Sequence, residues 1–140
     1  MRNLIIAICL PLSLLAQKKK PAVDPFGKNK FAAASEIQQQ YDHYRDIALQ
    51  IWDYAEVGYK EEKSTALLQK ELKDNGFDVQ AGVADIPTAF VATYGSGSPV
   101  IGILAEYDAL PGITQEAVPE RKEAAGKKAG HACGHHLFGA

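Results

Sequence analysis

Cysteine is scarce: the 140 residues hold two, Cys9 and Cys133. A structural zinc finger closes its shell with four ligands, drawn largely from spaced cysteine pairs, and the chain has no such pairs. Charge of one sign is missing too, since a formal net charge of −2 gives no electrostatic case for nucleic acid. The lysines Lys18, Lys19 and Lys20 follow an apolar run and read as a processing flank, not a phosphate-binding patch. No comfortable membrane span of about 20 apolar residues is present, and neither is an internal repeat or a low-complexity segment. A zinc finger, a nucleic-acid module and a stable membrane partner are therefore not expected. What remains is a globular composition, 46% hydrophobic and 23% charged, in a length suited to one ordinary domain.

Residues 1–16 have the form of a secretory signal peptide. Arg2 gives a minimal positive start, Leu4 to Leu15 is nearly all apolar but interrupted by Pro11, and Ala16 before Gln17 offers a small residue at a cut. The pattern predicts a secreted or periplasmic protein. Once those residues are removed Cys133 is the sole cysteine, so no internal disulfide can close. A thiolate held by a metal explains a reactive group at that position; the alternative is a small buried hydrophobe. Residues 17–34, rich in lysine and carrying Pro21, Pro25 and Gly27, read as a linker. Residues 35–140 are the folded part.

Ser35 is a reasonable N-cap, and from Glu36 the apolar positions Ile37, Tyr41, Tyr44, Ile47, Ala48, Ile51, Trp52 and Ala55 recur at helical spacing. That helix is expected to end near Val57 and Gly58. A second should start at Glu61 or Glu62, carboxylates suiting a helix N-terminus, and stop at Asn75-Gly76. The period then shortens. Phe77 to Ala81 and Thr88 to Tyr94 read as strands, and Val100 to Ala105 as a strand buried on both faces. The order predicts an α/β fold with a mixed sheet.

Two clusters carry chemistry. Glu106 and Asp108 follow the apolar run, where functional groups gather in open α/β sheets; two apart in an extended segment, their side chains share one side. A solvated turn, signalled by Leu110-Pro111-Gly112, is the alternative. His131, Cys133 and His135 alternate as well, with His136 behind. Sulfur and imidazole suit zinc and other borderline ions, and Gly130 and Gly134 let the backbone wrap closely.

Three stretches then resemble a known family: IWDYAEVGYKEEKS from Ile51 to Ser64, GILAEYDALPGITQ from Gly102 to Gln115, and GHACGHHLFGA from Gly130 to Ala140. They look like the metal-dependent amidohydrolases of the aminoacylase/carboxypeptidase family, most of all the p-aminobenzoyl-glutamate hydrolase group. The resemblance implies the N-terminal part of a mixed-sheet, zinc-peptidase-like catalytic domain, with the lid and dimerisation domain absent. It implies two divalent metal ions, zinc or manganese, held partly by Cys133 and His135. It makes Asp108 the catalytic-site carboxylate that orients a ligating histidine and His131 a residue that shapes the site. Glu106 stands where many relatives carry Asp, which argues against a direct metal role, and His136 departs from the usual Asp or Asn.

The implied activity is hydrolysis of an amide bond in N-acyl or aminobenzoyl amino acids or dipeptide-like substrates. The glutamate general base and further ligands are expected outside these residues, so the chain alone should be inactive; an open strand edge should also make it poorly soluble, and its parent should be a homodimer or hetero-oligomer. The competing expectations are a non-catalytic metal-binding module built on the Cys-His cluster and an inert truncated product.

Overall fold

The computed structural model describes residues 24–140, so the signal-like start and most of the lysine-rich segment lie outside the described residues. Helix α1 runs Gly27–Gln39 and α2 runs Tyr41–Tyr54. The single helix expected from Ser35 is thus two helices divided at Gln40, and the first begins inside the segment read as linker. Asp24 accounts for that start: its Oδ1 accepts from Phe26 N (2.9 Å), its carbonyl from Gly27 N (3.2 Å), and Oδ2 pairs with Lys30. No α1 residue is buried, so α1 is helical without joining the core. The α2 helix ends at Ala55, which takes the left-handed conformation (φ 47°) in place of the expected Gly58, its N–H donating to the Ile51 carbonyl.

Helix α3 spans Glu62–Asp74, as its spacing predicted. Its N-terminus is capped from outside the helix. The Glu56 carboxylate accepts from Lys63 N, Ser64 N and the Ser64 hydroxyl at 2.9–3.0 Å, satisfying donors that no intrahelical carbonyl reaches. Strands β1 (Asp78–Ala81) and β2 (Phe90–Thr93) form an antiparallel hairpin, Asp78 opposite Thr93 and Ala81 opposite Phe90. Ile51, Ile47 and Leu68 make the core between α2 and α3, and Leu67, Phe90 and Tyr107 pack against it.

The remaining chain is held by short pairings. Strands β3 (Leu110–Pro111) and β4 (Ala129–Gly130) pair antiparallel, Val57 and Ala109 form one isolated parallel bridge, and α4 covers His135–Phe138. The fold is α/β, but among the described residues the single mixed sheet is not formed: both ladders are two-stranded and antiparallel. The strand expected at Val100–Ala105 is absent as well. Val100, Ile101, Ile103 and Leu104 are 80–91% exposed, and this run makes no backbone–backbone hydrogen bond among the described residues. No described helix is long and apolar enough to cross a membrane.

Candidate metal centre

Glu106, Asp108 and His135 converge. One donor atom from each lies within 4.8 Å of the others, the one such three-donor group among the described residues. Asp108 is held from behind by Ala109, which is buried and donates its N–H to the Glu56 carbonyl at 2.7 Å. His135 opens α4 directly after Gly134, whose φ of 79° makes the turn into that helix with no Cβ to clash. At the other end of α4, a Cβ on Gly139 would sit 2.9 Å from Tyr107 Cβ and 3.0 Å from the Glu106 carbonyl oxygen. Only glycine lets α4 lie this close to the segment bearing the carboxylates.

The hydrogen bonds of His135 assign a proton to Nδ1. Its Nδ1 lies 2.8 Å from Asp108 Oδ1 and 3.2 Å from the Asp108 carbonyl oxygen. Ionised carboxylates and carbonyls only accept, so Nδ1 carries the proton. A neutral ring then presents a lone pair at Nε2, and Nε2 faces Glu106 Oε2 at 3.1 Å. Two electron-rich atoms at that distance call for a cation between them, a second ring proton or a metal ion. A histidine held by a carboxylate through Nδ1, with Nε2 turned toward a second carboxylate, is an arrangement in which a ligating histidine is oriented. The donor set therefore fits a divalent ion.

The other sequence candidates are placed differently. An extended His131–His135 segment would have put three side chains on one side; instead the chain turns at Ala132–Cys133 and enters α4. Cys133 is exposed and outside the three-donor group. His131 is buried, its Nε2 donating to the Ile51 carbonyl at 3.1 Å, which ties the site to the C-terminal end of α2. Burial pushes the His131 and His136 pKa values below the ordinary imidazole value, the His131 ring adding to the shift of His136. Their rings lie 5.0 Å apart, and the Nδ1 of each is buried without a hydrogen-bond partner among the described residues.

Glu106, which stands where many relatives carry Asp and was not expected to meet a metal directly, is the carboxylate facing His135 Nε2. The signal for it was its two-residue spacing from Asp108. An open cavity of about 300 Å³ borders both carboxylates, lined also by Tyr59, Glu61, Ile86 and Thr88.

No protein-family model matches the chain. It is 42% identical over 104 residues to a subunit of the p-aminobenzoyl-glutamate hydrolase of Escherichia coli (strain K12), an alignment covering 74% of this chain and 22% of that protein. It is 30% identical over 103 residues to thermostable carboxypeptidase 1 of Saccharolobus solfataricus, covering 72% of this chain and 25% of that one. The chain thus spans about a quarter of the length of these curated relatives. The matched residues belong to the aminoacylase/carboxypeptidase family of metal-dependent amidohydrolases.

Proposed function

We propose that this chain contributes part of the metal centre of an enzyme hydrolysing an amide bond in N-acyl or aminobenzoyl amino acids or dipeptide-like substrates. The observation that carries the proposal is His135 held between Asp108 and Glu106. When bound, a divalent ion supplies Lewis-acid polarisation of the amide carbonyl and activates water for attack. Asp108 keeps the proton on Nδ1 and so presents Nε2 to the ion, and Glu106 lends an anionic oxygen beside it. In a two-ion form Cys133, in the exposed turn before α4, would add a thiolate, a ligand that favours zinc, with manganese second.

In this proposal no described residue is assigned the role of general base, and the 140 residues by themselves are expected to bind metal without turning over substrate. Export directed by residues 1–16 and a dimeric or hetero-oligomeric parent belong to the same proposal. The non-catalytic alternative, in which Cys133 joins the histidines to hold zinc, copper or nickel, has no cluster containing Cys133 to support it among the described residues.

Calorimetric titration of the full chain with Zn²⁺ and Mn²⁺ is the test. Asp108→Asn should weaken binding about 10–100-fold, and His135→Gln should abolish binding at this site. Equal affinity in the unsubstituted chain and His135→Gln would remove the basis of the proposal. Release of p-aminobenzoate from p-aminobenzoyl-glutamate by the metal-loaded chain would overturn the inactivity of the segment.

A further inference from the structure

Between the end of β2 at Thr93 and the bridge at Ala109, the chain makes no backbone–backbone hydrogen bond among the described residues. Glu106 and Asp108 hang from the end of this unpaired segment, and its apolar run is exposed. Tyr107, between the two carboxylates, is different. Its ring packs on the core and stacks on Phe90 with centroids 6.1 Å apart, and its hydroxyl donates to the Thr88 carbonyl.

That carbonyl is the centre of a buried relay. The Thr65 hydroxyl of α3 donates to it at 2.9 Å, and the Thr88 hydroxyl donates to Glu61 Oε2 at 2.7 Å. Glu61, Thr65 and Thr88 are each exposed by 8% or less. The relay is polar, satisfied and enclosed, and such networks hold one arrangement because breaking a member strands its partners.

We propose that Tyr107, fastened through Thr88 to Thr65 and Glu61, is the positioning residue of the metal centre: it sets where Glu106 and Asp108 stand relative to His135. The inference rests on the metal-site proposal. Metal affinity at the carboxylates is thereby coupled to α3 and β2, elements that supply none of the three donors. Supporting groups around metal ligands typically change affinity 10–100-fold when removed.

Removing the hydroxyl alone is a clean perturbation, because in Tyr107→Phe the Thr88 carbonyl still receives the Thr65 hydroxyl and the stack on Phe90 persists. The test compares Zn²⁺ affinity by calorimetry, and thermal midpoints without metal, for the full chain and three variants. Tyr107→Phe should bind Zn²⁺ about 10-fold more weakly. Ile47→Val, a core change outside the relay, should lower the midpoint and leave affinity unchanged. Asp108→Asn should weaken binding about 10–100-fold, reporting on the site itself. Unchanged affinity in Tyr107→Phe, or an equal loss in Ile47→Val, overturns the positioning role while leaving the metal site standing. Failure of the unsubstituted chain to bind, or indifference to Asp108→Asn, overturns both.

Discussion

The α2–α3 pair and the segment Val100–Leu104 are built from similar apolar side chains and meet opposite fates. Ile51 is fully buried and Ile47 and Leu68 nearly so, whereas Ile101, Ile103 and Leu104 are 83%, 91% and 80% exposed. The difference lies in the backbone. A helix satisfies its own N–H and C=O groups, so two helices can bury a shared apolar stripe with no further help. An extended segment must find neighbours for its backbone before burial is favourable. The candidate site sits where these regimes meet: His131 ties it to α2 and Tyr107 to β2, while Glu106 is the first charged residue after the unpaired run.

The comparison breaks first at its buried side. Ile51→Ala should cost about 2–5 kcal/mol in denaturant unfolding, from lost burial and the cavity left behind. A cost below about 1 kcal/mol would mean that the α2–α3 core is looser than its burial implies. The next effect is at the cap between the helices. Glu56→Ala leaves Lys63 N and Ser64 N without their shared carboxylate and should cost about 0.5–2 kcal/mol, comparable with other helix N-cap losses.

Acid gives a smaller and graded effect. His131 resists protonation in the fold chiefly because it is buried; nearby His135 and Lys127 add to this, while its bond to Ile51 and the charge of Asp108 oppose it. The unfolded chain takes up a proton near the ordinary value of 6.5 that the folded chain does not. Stability is then full above that value and falls as pH drops below it, His136 acting in the same direction. The denaturation midpoint should fall between about pH 7.5 and 5.5, and less so in His131→Gln; equal slopes would show that other groups carry the dependence. The smallest effect is expected on the exposed side. Ile103→Lys should change folding stability by no more than about 0.5 kcal/mol, while raising the concentration at which the chain aggregates, as measured by light scattering.

Much of the packed region was legible in the residues. Ile47, Ile51 and Leu68 stood at helical spacing, and α3 began and ended where Glu62 and Asn75 indicated. The β1–β2 hairpin followed from the change of period after Gly76. The Asp24 cap of α1 fell in a segment whose lysines and prolines read as linker. The unburied fate of Val100–Leu104 could not be seen, since a continuous apolar run specifies a preference for burial and says nothing of whether a partner strand is available.

The same division runs through the site. Asp108 and His135 were singled out as candidates by residue type and by resemblance to amidohydrolases. Those are local properties, and a local pattern survives whatever the chain does elsewhere. That Glu106 faces Nε2, that Cys133 stands apart in a turn, and that Tyr107 reaches Thr88 depended on where α4 meets the Glu106–Asp108 segment. Contacts between groups 19 to 29 residues apart are set by how the elements pack, because no spacing rule extends across a turn whose direction the packing itself chooses.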